Sequence, residues 1–224
     1  MTEQEARAWL DARGWWKGAL GDRLRNFVDL VLFEADKQNL ISAGSRAHIW
    51  SRHVVDSLQL IELLPSATRK EGLWVDLGTG AGFPGLAVAC IRHVPIQLIE
   101  SRPLRVDFLQ RSIATLGLGH ATVVGTKVER VSAASPAKVI SARALAPLDR
   151  LLAVSSHLSD EDTIWLLPKG RQSEKELDVV RPKWHATFHV EHSITDPESN
   201  IVTISQLRPR ANSTNRRNLR KKHR

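Results

Sequence analysis

Apolar residues recur at helical spacing through the first third of the chain. Leu24, Phe27, Val28, Val31 and Leu32 form one stripe, and Trp50, Val54, Leu58, Ile61 and Leu64 form a second. Thr2 followed by Glu5 has the form of a capping box, Gly14 of a helix stop, and Gln38–Ser45 of a polar connection. From Leu73 the period changes to short β-type runs alternating with helical ones. Strands are predicted over Leu73–Leu77, Ile96–Glu100, Ala121–Val124, Lys138–Ser141 and Thr163–Leu167. Helices are predicted over Pro84–Ile91, Pro103–Leu116, Leu148–Leu158 and Gln172–Val180. The last two runs, Ala186–Glu191 and Asn200–Leu207, have no helix between them and should pair antiparallel at a sheet edge. The alternation predicts an α/β fold of Rossmann-like type: a mostly parallel seven-stranded sheet, helices on both faces and a helical N-terminal extension. Three segments follow: helical residues 1–70, a ligand-binding domain over 71–207, and a tail over 208–224.

Composition adds little until charge is located. A hydrophobic content of 42% supports a buried core, and no apolar run approaches the roughly 18 residues that span a bilayer. One cysteine, Cys90, leaves no intramolecular disulfide or paired-cysteine metal site. The N-terminus is charged rather than signal-like, which together with the cysteine count predicts a cytoplasmic protein with no membrane partner. Lys and Arg exceed Asp and Glu by 32 to 24. Arg208, Arg210, Arg216, Arg217, Arg220, Lys221, Lys222 and Arg224 account for that whole excess, so Met1–Leu207 is neutral by count. Such a tail reads as an arm for a polyanion, because phosphate contacts release condensed counterions, or as a solvated terminus.

The strongest local signal follows the first strand, in the segment Val75–Gly85, VDLGTGAGFPG. Glycines there permit positive φ and close approach of a nucleotide cofactor. Two registers compete. Gly80-x-Gly82-x-x-Gly85 matches a dinucleotide fingerprint but starts three residues beyond the strand. Asp76-x-Gly78-x-Gly80-x-Gly82 starts at the strand and is similar to motif I of Rossmann-like methyltransferases. A carboxylate at Asp76 would attract the ammonium end of S-adenosylmethionine and repel a pyrophosphate. Glu100, at the end of the second strand, can accept from ribose hydroxyls of either cofactor.

Further segments resemble the RsmG (GidB) family, guanine-N7 methyltransferases of 16S ribosomal RNA. They are Asn39-Leu40, Arg52-His53-x-x-Asp56-Ser57-Leu58, the loop DLGTGAGFPG, Glu100-Ser101, Arg105-Val106-x-Phe108-Leu109, Ser141-Ala142-Arg143-Ala144 and Leu167-Pro168-Lys169-Gly170. The chain departs at Leu104, where the family commonly has a basic residue. The resemblance implies a class I methyltransferase fold, S-adenosylmethionine as cofactor and no metal. Gly78 and Phe83 would border that cofactor and Val128-Glu129 its adenine. Arg143 would reach cofactor or target base, and Lys169 RNA phosphate or the base. Arg52 and His53 would face substrate, with 16S rRNA or an assembling small subunit as partner and no oligomer implied.

Read from the residues alone, Arg52 and Asp56 also make an ordinary i, i+4 surface pair, Arg143 an interdomain ion pair, and Lys169 a solvated loop lysine. On the predicted strand His185 and His189 fall on one face and His192 on the other, so no shared metal site is expected. Guanine N7 has a lone pair and no proton to lose, so positioning matters more than a general base. No Asn/Asp-Pro-Pro-aromatic motif follows the fourth strand, and Cys90 falls inside a helix. Other classes that fit parts of the pattern are a methyltransferase of another substrate, a nucleotide-dependent oxidoreductase and a noncatalytic RNA-binding protein.

Overall fold

The computed structural model describes residues 1–66, 71–132 and 134–210. The helical part comprises α1 (Glu3–Asp11), α2 (Gly18–Glu34), the short α3 (Ala43–Arg46) and a π-helical turn, Trp50–Val55, that runs into α4 (Asp56–Glu62). Thr2 caps α1 as its spacing predicts, exchanging hydrogen bonds with Glu5 in both directions. Strands β1 (Trp74–Leu77), β2 (Ile96–Ile99), β3 (Ala121–Val124), β4 (Val139–Ala142) and β5 (Ile164–Lys169) alternate with α5 (Gly85–Ile91), α6 (Pro103–Leu116), α7 (Leu148–Ser155) and α8 (Ser173–Val180). Strands β6 (Trp184–His192) and β7 (Asn200–Pro209) complete the sheet.

The sheet order is β3-β2-β1-β4-β5-β7-β6. Strands β1 to β5 are parallel, and β7 runs antiparallel between β5 and β6. Only β6 is therefore an edge strand at that side; β7 is interior. The helix predicted over Leu148–Leu158 is α-helical to Ser155 and closes in a 3-10 turn, Ser156–Leu158.

Two apolar layers sandwich the sheet. Leu24, Phe27, Val28 and Val31 of α2 are buried in one layer with Leu86, Leu98, Phe108 and Leu166 of the α/β part. The second layer joins β strands to Leu151 and Leu152 of α7 and Leu177 of α8. At about 1.5–3 kcal/mol for each large side chain fully buried, the α2 stripe alone ties the N-terminal helices firmly to the sheet. The N-terminal helices thus share one apolar layer with the sheet. The first two cations of the expected tail are described. Arg208 lies within β7 and pairs with Glu161, while Arg210 donates to Trp184 O, so both cations belong to the fold. Arg216, Arg217, Arg220, Lys221 and Lys222 lie outside the described residues.

Candidate active site

Between β1 and β4 the chain reverses its direction of winding, and the loops that leave their C-terminal ends diverge there. The loop after β1 makes a tight turn with positive φ at Gly78 (64°), Gly80 (60°) and Gly82 (93°). Asp76 anchors it from below. Ser141 Oγ donates to Asp76 Oδ1 at 2.6 Å, the Gly85 N–H donates to Oδ2 at 2.9 Å, and Trp74 Nε1 donates to Ser141 Oγ at 2.8 Å. Burial pushes the Asp76 carboxyl up to about 6, against the lowering effect of those hydrogen bonds and of Arg143. Asp76 is fully enclosed. The carboxylate thus lies behind the loop and shapes it, and any attraction for the cofactor ammonium would act through that loop.

Glu100 holds the same loop from the side. Its Oε2 accepts from the Gly80 N–H at 3.1 Å, and its Oε1 accepts from the N–H groups of Ser101 and Arg102 at 2.7 and 2.9 Å. Oε2 also forms an ion pair with Arg105 Nη1 at 3.8 Å, too long for a hydrogen bond, so it can still accept from a ligand hydroxyl. A cavity of about 390 Å³ opens beside it, lined among others by Gly78, Glu100, Arg105, Val128, Glu129 and Leu145. Val128 begins a 3-10 turn and is buried, giving the cavity an apolar wall beside a helix start whose first N–H groups lack intrahelical partners. Gly78 is the loop glycine that faces this space. A Cβ on Gly85 would sit 2.4 Å from Leu98 and 2.6 Å from Asp76 Cβ, and one on Gly82 would meet Leu86 and Phe27. Gly85, found only in the dinucleotide register, therefore serves packing, whereas Gly78, found only in the register that starts at the strand, lines the cavity.

Phe83, expected beside the cofactor, does not line this cavity. It is buried away from this cavity, 5.0 Å from the Phe27 ring and 5.1 Å from the His53 ring, in the layer made by the N-terminal helices. The Arg143 guanidinium lies over the Phe83 ring, 5.4 Å from its centre. Its apolar ring is drawn into the helical layer, and through it the loop meets the π-helical turn.

A second cavity of about 570 Å³ lies across the loop after β4, lined by Asp56, Arg143, Ala144–Pro147, Pro168–Gly170, Glu176, Ser193, Ser199 and Asn200. The guanidinium of Arg143 donates to Asp56 Oδ2 at 3.2 Å, to Arg52 O at 3.2 Å and to His53 Nδ1 at 2.9 Å. Burial, then the charges of Arg143 and Arg52, lower the His53 imidazole to about 3. It is neutral, an acceptor at Nδ1, with Nε2 3.0 Å from Ser45 Oγ.

The predicted Arg52–Asp56 surface pair does not form. Arg52 pairs instead with Asp196 at 2.6 Å, and Asp56 also accepts from Thr195 Oγ1 at 2.9 Å. The cause is the segment 193–196 between β6 and β7, which folds over the helix face expected to be solvated. Gln59 completes this seam, accepting from the Ile194 N–H at 3.0 Å and donating to Ser193 Oγ at 3.0 Å. Sequence reading missed Gln59, Ser193 and Thr195; pairings across some 135 residues leave no local pattern.

Lys169 is neither solvated nor free. Its Nζ donates to Glu176 Oε2 at 2.8 Å and to Ala146 O at 3.0 Å, and the same Glu176 oxygen accepts from the Leu148 N–H at 2.6 Å. Glu176, also missed, therefore ties the loop after β4 to α8. Cys90 is fully buried in α5 and burial pushes its thiol up to about 12, so it offers no nucleophile. Among the described residues no group of three or more His, Cys, Asp or Glu is arranged to hold a metal ion.

Residues 21–202 match the family described as GidB, rRNA small subunit methyltransferase G. The chain belongs to that family. A relative named ribosomal RNA small subunit methyltransferase G from Novosphingobium aromaticivorans is 46% identical over 90% of this chain and 87% of its own length. A crystal structure of an MtNAS mutant in complex with S-adenosylmethionine superposes with a TM-score of 0.54 at 15% identity, covering 90% of this chain and 83% of that one. A ribosomal protein L11 methylase from Lactobacillus delbrueckii gives 0.53 at 16% identity over 67% and 76%. At these identities the two structures speak for the fold, which is that of the Rossmann-like methyltransferases. S-adenosylmethionine fits the residues present: a bare glycine at Gly78, an acceptor at Glu100 and an apolar wall at Val128 surround one cavity.

Proposed function

We propose that the chain transfers the methyl group of S-adenosylmethionine to N7 of a guanine in 16S ribosomal RNA, as free RNA or within an assembling small subunit. Bound in the cavity beside Gly78 and Glu100, the cofactor supplies an activated methyl carbon. The larger cavity beside Arg143 and Lys169 receives the base. One observation carries the choice of atom. Both carboxylates that line the larger cavity are held by cations and hydroxyls, Asp56 by Arg143 and Thr195, and Glu176 by Lys169. Among the described residues that line this cavity no carboxylate is unengaged, and N7, which has no proton to lose, needs none. Arg143 and Lys169 orient the loop between the cavities and place positive charge beside it. A ribosomal substrate also accounts for a cytoplasmic site of action.

The test uses purified protein, labelled S-adenosylmethionine and 16S RNA or small subunits from cells lacking the gene. Label released as 7-methylguanine on mild depurination is expected. Label on another atom overturns the N7 reading, and calorimetric binding of NAD without S-adenosylhomocysteine overturns the cofactor.

A further inference from the structure

The two cavities share one wall. Ala144, Leu145 and Ala146 line both, and they are the residues common to the two sets. Ala144 has φ 54°, the left-handed region that a side chain disfavours. The flanks of this segment are pinned. Arg143 is held by Arg52 O, Asp56 and His53 on one side, and Ala146 O by Lys169 on the other. Leu145, between the pins, is 39% exposed, unusual for a large apolar side chain here. It sits directly on the glycine loop: a Cβ at Gly78 would lie 2.5 Å from Leu145 Cδ1. This side chain and its short backbone stretch thus face both the cofactor side and the base side.

We infer that Leu145 is a gate in this wall, seated on Gly78 when the cofactor cavity is empty and displaced when it fills. The inference rests on the cofactor reading above. A methyl carbon cannot pass from one cavity to the other while Leu145 occupies its seat on Gly78. The pinned flanks let residues 144 and 145 move without unpacking β4 or α7. Displaced towards the larger cavity, Leu145 becomes an apolar surface against the target base and positions it.

The test follows the leucine directly. Protein carrying 13C-labelled leucine methyl groups is titrated with S-adenosylhomocysteine, and Leu145 is assigned by its absence from the Leu145→Met spectrum. Saturation is expected to shift the Leu145 resonances. Leu145→Ala is expected to bind S-adenosylhomocysteine at least as tightly as the wild type, yet to methylate RNA about tenfold more slowly at saturation of both substrates. Leu145→Met should restore the rate to within about threefold of wild type. Three results each overturn the gate: unmoved resonances in a protein that binds the ligand, a wild-type rate in Leu145→Ala, or binding about tenfold weaker in Leu145→Ala. Failure of the wild type to bind S-adenosylhomocysteine overturns the cofactor reading, and the gate falls with it.

Discussion

Burial moves the titrations of His53 and Asp76 in opposite directions along the protein's stability curve. His53 is held near 3 in the folded chain against 6.5 as the ordinary value. Between those values the unfolded chain carries the extra proton, so stability is lost as pH falls from about 6.5 towards 3. Asp76 is held near 6 against 3.8. There the folded chain carries the extra proton, so stability is lost as pH rises from about 3.8 to 6. The two effects partly cancel between pH 7.5 and 5. His53→Gln keeps an acceptor for Arg143 and removes one side of the balance. Relative to wild type, the variant is expected to gain on the order of 2 kcal/mol on going from pH 7.5 to 5. Urea midpoints at the two pH values measure it, and an unchanged difference between variant and wild type would remove His53 from the account.

At the scale of elements, two junctions bear most on the site. Gly85 begins α5 against β1, with Leu98 and Asp76 where a methyl group would go. Gly85→Ala is expected to cost about 1–3 kcal/mol by overpacking and to weaken cofactor binding through the loop that Asp76 anchors. Denaturant unfolding and calorimetry read the two effects separately. Glu3 on α1 accepts from the N–H groups of Trp50 and Ser51 and from Ser51 Oγ, at 3.1, 2.8 and 2.7 Å. It closes the start of the π-helical turn from a different helix. Glu3→Ala should lower stability by about 1.5–3 kcal/mol, the range for hydrogen bonds to a charged group, as urea unfolding would show.

These elements also mark how far the amino-acid pattern carries. Strands β1 to β5 fall within a residue or two of the predicted runs, because strand and helix periods differ sharply at each change. The glycine loop was legible because positive φ selects glycine locally. The π-helical turn was not, since its apolar stripe reads as an ordinary helix while its polar face is covered by residues 193–196. The place of β7 was not legible either. Alternation identifies a strand, yet pairing with β5 on one side and β6 on the other depends on partners distant in sequence. Asp76, read as a ligand to the cofactor, has a position at the strand end that could not distinguish a carboxylate facing the loop cavity from one facing Ser141.

Across the whole molecule the charge is uneven. Arg208 and Arg210 are built into the fold, and Arg216, Arg217, Arg220, Lys221, Lys222 and Arg224 follow it in sequence. Truncation after Arg210 removes six cations and leaves β7 whole. RNA affinity is expected to fall and its dependence on log salt concentration to flatten by up to about 4, with S-adenosylhomocysteine affinity unchanged. Equal salt slopes for the two chains would exclude a role for the tail in RNA binding.

The insertion of β7 between β5 and β6 has a consequence during synthesis. Strand β6 emerges before the strand that joins it to the sheet, and residues 193–196, which seal the base-side cavity against Asp56 and Gln59, are held between those two strands. Neither can settle until about residue 209 has left the ribosome. The glycine loop, made from residues before 86 and steadied by Glu100, can form much earlier. The proposed cofactor cavity is lined by residues no later than Val154, so its lining leaves the ribosome before the segment that covers Asp56 and Gln59. On the proposed reading, the place for a target base is completed last.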